Sequence, residues 1–161
     1  MTCGSFALWG MAYAVERRAM AGTGIVIVGP NSVTVRVLIA EDEAMIALTL
    51  SDILEAEGYE VTIAGDGAKA LARARQFGEA LDVLVTDLNM PEMSGEDLIH
   101  ALRGDRPELP VVVVTGSAPF GGVDALRRQG GGHGPFALLH KPIDYADLVD
   151  TLQRAVWPKH P

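Results

Sequence analysis

The chain has 161 residues, and its 13 basic and 21 acidic side chains give a formal charge of 13 − 21 = −8 at pH 7. Apolar residues make up 48% and charged residues 21%, the balance of one globular domain with a full core, not of a disordered chain. The acidic balance argues against a binder of nucleic-acid backbone, the lone Cys3 rules out a disulfide within the chain or a cysteine metal site, and no stretch approaches the roughly 20 apolar residues of a membrane span.

Residues 1–34 read as an extension whose only charges are Glu16, Arg17 and Arg18. Its apolar run, 6–15, precedes these basic residues, the reverse of a secretory signal, and Met11 and Met20 offer alternative starts. A partly ordered extension or an over-long start is expected, with a helix, a strand-like segment at 25–28 and no chemistry. From residue 35, short apolar runs alternate with helical patterns. A strand at 37–40 precedes a helix with an expected core stripe of Ile46, Leu50, Ile53 and Leu54, stopped by Gly58. A second strand at 60–64 leads to a helix at 67–77 with Leu71, Ala74 and Phe77 inward. A third strand spans 81–86, and a third helix follows Ser94 as N-cap, burying Leu98, Ile99 and Leu102.

The run 111–115 is β-branched throughout and reads as a fourth strand, with a fifth at 136–139. Between them, glycines at 121, 122, 130–132 and 134 leave room for a short helix of about 123–129, because glycine costs roughly 1 kcal/mol at each interior helix position. This surface is expected to be mobile. The last helix, about 144–157, buries Leu148, Val149, Leu152 and Val156, with Trp157 capping it against the body and Pro158 ending it.

Strands that alternate with helices make βα units and a parallel sheet, covered on both faces because its strands are continuous apolar runs. In such sheets the polar site gathers at the carboxyl ends of the strands. Those ends carry Glu41-Asp42-Glu43, Asp87 with Asn89 close behind, Thr115-Gly116-Ser117, and His140-Lys141-Pro142. Carboxylates crowded together disfavour ionisation unless something compensates. A hard cation such as Mg²⁺ does so, taking one or two carboxylates plus a phosphate. Asp42 and Asp87 are the candidate carboxylate ligands, with a backbone carbonyl just after Asp87. A carboxylate can also act as a nucleophile toward phosphorus, with the charge on the transferred group met by the metal and by Lys141. Thr115 is placed to offer its hydroxyl to a phosphoryl oxygen.

In order and spacing, VLIAEDE at 37–43, AGDG at 64–67, VTDLNMPEMSG at 85–95, VVVVTG at 111–116 and KP at 141–142 resemble a response-regulator receiver domain of two-component signalling. The resemblance covers about residues 35–156. It implies an α/β, flavodoxin-like (βα)5 three-layer sandwich with a parallel five-stranded sheet in the order 2-1-3-4-5. It implies that Asp87 is the phosphoacceptor, that Glu41 and Asp42 are the acidic pair with Asp42 the more direct Mg²⁺ ligand, and that Asn89 lends its backbone oxygen. Thr115 becomes the switch hydroxyl, and Lys141 the site lysine ahead of a cis Pro142.

The domain expected is 35–157, with a tail at 158–161. Its implied role is cytoplasmic and not that of a turnover enzyme beyond its own phosphorylation and dephosphorylation. The phosphodonor would be a histidine kinase or histidine phosphotransfer protein. With four residues after the last helix, output is expected through a downstream protein, or as a phosphate shuttle or sink, without nucleic acid or membrane. Two departures stand out. Glu41 takes a place where many receivers have Asp, and Leu138 a place where many carry a Tyr or Phe that rotates on activation; Phe136 lies two positions away. Because its glycines leave helix four short, that surface is not expected to be the usual dimer or output face. The competing readings are a phosphatase with an aspartyl nucleophile, which would commonly show a second Asp where Asn89 stands, and a flavin binder, for which no phosphate-binding loop is visible. His100, His133, His140 and His160 read as surface residues, and Met90 and Met93 as loop packing.

Overall fold

The computed structural model describes residues 34–117, 119, 121–129 and 136–156, all within the second of the chain's two units, Val33–Pro161. The expectations for 1–33, the glycines at 130–132 and 134, His133, Trp157 and His160 lie outside the described residues.

Five strands alternate with five helices: β1 (Arg36–Ala40), α1 (Ala44–Ala56), β2 (Glu60–Ala64), α2 (Gly67–Phe77), β3 (Val83–Thr86), α3 (Gly95–Asp105), β4 (Val111–Thr115), α4 (Gly122–Gln129), β5 (Phe136–His140) and α5 (Tyr145–Val156). A 3₁₀ turn, Gly78–Ala80, links α2 to β3. All strand pairs are parallel, in the order β2-β1-β3-β4-β5, which is the flavodoxin-like (βα)5 arrangement. The central strands β3 and β4 are buried at every residue. Side chains alternate across them. Val37, Ile39, Val83, Val85, Val112 and Val114 pack with Leu50 and Leu54 of α1 and Leu148 and Leu152 of α5. Leu38, Leu84, Val111 and Val113 pack with α2, α3 and Leu126 of α4. Two cores, one per face, are why these strands show no polar alternation.

The helix faces are where pattern and packing part company. On α1 the buried residues are Ala47, Leu50, Ser51 and Leu54; Ile46 and Ile53 are half-buried flanks instead of stripe members. On α2, Gly67, Ala70 and Ala74 are buried, and Leu71 and Phe77 only lean on that core. On α5, Ala155 joins Leu148, Leu152 and Val156, and Val149 moves to the edge. The reason is common to all three. Interiors are close-packed, so the line of closest approach to a sheet takes small side chains, and bulkier ones fill the wedges beside it. Only α3 buries the expected Leu98, Ile99 and Leu102.

The ends of the elements follow their local chemistry. Gly58, at φ +90°, closes α1 with its N–H on the Glu55 carbonyl while the Tyr59 N–H reaches the Leu54 carbonyl, a paired C-terminal closure that favours glycine. The Ser94 hydroxyl accepts from the Asp97 N–H at 3.1 Å and caps α3. β3 starts at Val83, two residues later than expected, because the Leu81 carbonyl is held by the Arg106 guanidinium at 2.9 Å and so takes no part in the ladder.

Leu84 is fully buried in the central strand while Leu48 is 53% exposed on α1. Leu84→Ala is expected to lower the unfolding free energy by about 2–5 kcal/mol, and Leu48→Ala to change it by less than about 0.5 kcal/mol, both read by urea denaturation.

Candidate functional site

The sheet order places the carboxyl ends of β1, β3, β4 and β5 side by side. Because Ala40 pairs with Thr86, the residues that follow them, Glu41 and Asp87, emerge as neighbours. Each is still tied to the sheet: the Glu41 N–H donates to the Ala64 carbonyl, the Asp87 N–H to the Ala40 carbonyl, and the Lys141 N–H to the Thr115 carbonyl. Lys141 leaves β5, two strands from β3 and so about 10 Å away at ordinary strand spacing. Its long side chain crosses that gap.

The crossing ends on both buried acids. Lys141 Nζ lies 2.7 Å from Asp87 Oδ2 and 2.8 Å from Glu41 Oε2. Glu41 and Asp87 are buried, and the Lys141 side chain is 17% exposed. The remaining oxygens are also engaged: Asp87 Oδ1 accepts from the Asn89 N–H at 3.1 Å, and Glu41 Oε1 from the Glu43 N–H at 3.3 Å. Asp42 stands exposed beside them. One oxygen from each of Glu41, Asp42 and Asp87 lies within 4.8 Å of the others, a group that could hold a metal ion. Three carboxylates against one ammonium leave a local excess of two negative charges, and an all-oxygen donor set suits a hard divalent cation.

Burial shapes the acid–base character of the cluster. Loss of water pushes the Glu41 carboxyl above its ordinary 4.5, although the hydrogen bond and charge of Lys141 pull the other way. The Lys141 ammonium loses water too, yet its hydrogen bonds and attraction to Asp87 and Glu41 outweigh that loss and hold it above its ordinary 10.5. Lys141 therefore remains a cation throughout the physiological range.

The loop after Asp87 has little freedom. The Asp87 carbonyl accepts from the Thr86 hydroxyl at 2.8 Å, the Gly95 N–H donates to the Leu88 carbonyl at 2.9 Å, and Glu92 turns the chain with φ +66°. Met90 is buried in the core, with Met93 half-buried against it, which is the loop packing expected of both. A Cβ on Gly95 would sit 2.0 Å from the Asp87 carbonyl oxygen, so α3 reaches this place only because its first residue has no side chain.

Six residues were expected at the site, and Glu41, Asp42, Asp87 and Lys141 meet there directly. Thr115 is fully buried, with its hydroxyl oxygen 3.3 Å from the Ser117 N–H as acceptor. Asn89 reaches the cluster through its N–H, and its carboxamide turns to the Ser117 hydroxyl. The Lys141–Pro142 bond is cis. Gly95 and Ser117 were given no role from sequence. Their signals were slight: a glycine opening a helix, and a hydroxyl two residues past Thr115.

At the Leu138 position an aliphatic side chain packs on the α2–α4 core with Phe136. Phe136, two positions away, is engaged by two arginines. Its ring lies 5.6 Å from the Arg103 guanidinium carbon and 5.7 Å from that of Arg127, and its carbonyl accepts from Arg127 at 3.2 Å.

Two measurements check this account. Because folding raises the Glu41 value, the folded state holds the proton more tightly, and that contribution to stability is lost as pH rises from about 4.5 through the raised value. In metal-free protein, wild type should therefore lose stability relative to Glu41→Gln across that window, read by denaturation at stepped pH. Gly95→Ala would gain roughly 1 kcal/mol from helix propensity alone; overpacking against the Asp87 carbonyl should instead destabilise the chain by about 3 kcal/mol, read by thermal unfolding.

A family model of the response regulator receiver domain matches residues 37–153. A response regulator receiver protein of Anaeromyxobacter sp. (strain Fw109-5) is 38% identical over 115 residues, 71% of this chain and 46% of that protein; the chain thus spans about half the length of this relative. Among solved structures, a response regulator receiver domain protein from Clostridium thermocellum superposes with a TM-score of 0.71 at 26% identity, covering 78% of this chain and 96% of that one. The receiver domain of the hybrid histidine kinase CckA does so at 0.62 and 30%, covering 75% and 98%. With its sheet order, its acidic cluster and its lysine in place, this chain belongs to the response regulator receiver domain family.

Proposed function

We propose that this chain accepts a phosphoryl group on Asp87 from a histidine kinase or histidine phosphotransfer protein, with Mg²⁺, and signals through contact with another protein. The observation that carries the reading is the Lys141 ammonium, 2.7 Å from Asp87 and 2.8 Å from Glu41, beside three acids whose oxygens lie within 4.8 Å of one another.

Asp42, Asp87 and the Asn89 carbonyl would hold the ion, with Glu41 acting through water. When bound, Mg²⁺ supplies positive charge to the phosphoryl oxygens. The protein's part is nucleophile, countercharge and switch. A carboxylate oxygen of Asp87 bonds to phosphorus as the donor's P–N bond breaks, and the departing imidazole nitrogen takes up a proton from water. Each oxygen of Asp87 keeps a lone pair beyond the hydrogen bond it already accepts. Lys141 meets the negative charge that gathers on the transferred group. Thr115 offers its hydroxyl to a phosphoryl oxygen and draws the β4–α4 loop with it. With Leu138 aliphatic, the change travels along that loop.

Protein partners suit the surface. Met45, Ile46, Ile143 and Tyr145, with Lys141, line a largely apolar groove of about 300 Å³, and a net charge of −8 opposes nucleic acid. Among the described residues no helix is long and apolar enough to cross a membrane, in keeping with the cytoplasmic role that we propose.

Incubated with acetyl phosphate and Mg²⁺, the protein should gain one acid-stable, hydroxylamine-labile phosphoryl group per chain, and Asp87→Asn should stay folded and gain none. Sustained turnover of organic phosphates, or a label retained by Asp87→Asn, would overturn the reading. On phosphorylation, the amide resonances of Gly116, Ser117 and α4 should shift more than those of α5; the opposite pattern counts against the loop pathway.

A further inference from the structure

We infer that the open edge of β2, with Lys69 and Arg73 of α2 beside it, is a docking surface for an extended acidic segment of another protein, which joins the sheet as an added strand. The inference stands apart from the phosphoacceptor reading and concerns the edge of the sheet opposite β5.

β2 has β1 on one side and, among the described residues, no strand on the other. Along a pleated strand, successive residues turn their N–H and C=O groups to opposite sides. The Glu60 N–H donates to the Val35 carbonyl, and the Ala64 carbonyl accepts from the Glu41 N–H. Residues 60, 62 and 64 therefore face β1, which leaves the N–H and C=O of Val61 and Ile63 on the open side. Natural sheets blunt such edges with charged side chains, proline or a bulge. The run Val-Thr-Ile-Ala at 61–64 has neither charge nor proline, and its register with β1 is unbroken from Glu60 to Ala64.

The neighbouring helix gives this edge a sign. Ile63, Gly65, Lys69, Arg73 and Gln76 line a crevice of about 200 Å³ where β2 meets α2. The charges around it are matched in pairs, Lys69 Nζ 2.7 Å from Asp66 Oδ2 and Arg36 Nε 3.0 Å from Glu60 Oε2. Arg73 is exposed and makes no ion pair among the described residues. It is an excess cation on a chain of net charge −8. A guanidinium can take a carboxylate through two parallel hydrogen bonds. Main-chain pairing along the edge then supplies affinity, and contacts such as Arg73 supply specificity. A second copy is the poorer occupant, because it would bring the same excess cation and another net charge of −8.

The test uses the full chain and a blocked peptide of alternating glutamate and valine. Two controls accompany it, one with lysine in place of glutamate and one with methylated backbone nitrogens. Amide hydrogen exchange reads the edge residue by residue. In the free chain Val61 and Ile63 should exchange at least about tenfold faster than Thr62 and Ala64, whose N–H groups lie in the ladder. The acidic peptide at saturation should slow Val61 and Ile63 by about tenfold or more, and neither control should do so. Arg73→Glu should weaken the acidic peptide by about tenfold or more, as expected for losing a charge-assisted hydrogen bond. Its thermal midpoint should stay near that of wild type, and Arg73→Lys should lose less affinity than Arg73→Glu. Val61 and Ile63 amides as slow as Thr62 and Ala64 in the free chain would mean an edge already covered and overturn the proposal; sedimentation then tells a second copy from cover within one chain. Equal protection by the acidic and lysine peptides, undiminished binding to Arg73→Glu, or no protection by any peptide overturns it as well.

Discussion

The arrangement of this domain depends on one charge placed against others: the Lys141 ammonium set between the carboxylates of Asp87 and Glu41. Taking ionised groups out of water is costly, and a buried pair recovers that cost only with good geometry and further hydrogen bonds. Both conditions are met here, since the acids also accept from the Asn89 and Glu43 amides. The balance is deliberately incomplete in charge. One ammonium faces three carboxylates, and the remaining negative charge is of the kind that a divalent cation could offset. Replacing buried ion pairs by apolar residues is often neutral or stabilising, so the cluster is weak evidence of a stabilising role.

The sheet holds that cluster in place. Two cores cover it, and β3 and β4 are buried along their whole length, so the strand ends are held firmly while the loops beyond them carry the chemistry. Small residues matter as much as large ones in this. Ala47 and Ser51 let α1 settle on the sheet, Ala70 and Ala74 do so for α2, and Gly95 lets α3 begin against the Asp87 carbonyl. A rigid frame with close tolerances at the loop after Asp87 suits the nucleophile proposed there, which must keep its direction.

Position 138 carries no aromatic ring that could turn. Leu138 is packed into the α2–α4 core, and Phe136 is engaged by Arg127 at its carbonyl and by two guanidinium groups near its ring. β5 is thereby anchored to α3 and α4. On the other side of the site, Thr115 is tied to Ser117 by the Ser117 N–H, and Ser117 to the Asn89 carboxamide.

Much of this was legible in the linear chain. Strand-like runs such as 111–115, helix stops such as Gly58, the Ser94 cap and the order of Glu41, Asp42, Asp87, Thr115 and Lys141 at strand ends all follow from local physics, because periodicity, capping and turn chemistry act over a few residues. The fold class and the members of the candidate cluster came from that level, joined to a resemblance that supplied the strand order. Tertiary structure alone decided the rest. Ile46 and Ile53 gave up the core of α1 to Ala47 and Ser51, since closeness to the sheet is settled by packing and not by hydrophobicity. Gly95 became indispensable only where a carbonyl from another segment filled the space of its side chain. Ser117 met Asn89, 28 residues away in sequence, because β3 and β4 lie side by side. Contacts of that kind depend on strand adjacency, and no local pattern along the chain encodes it.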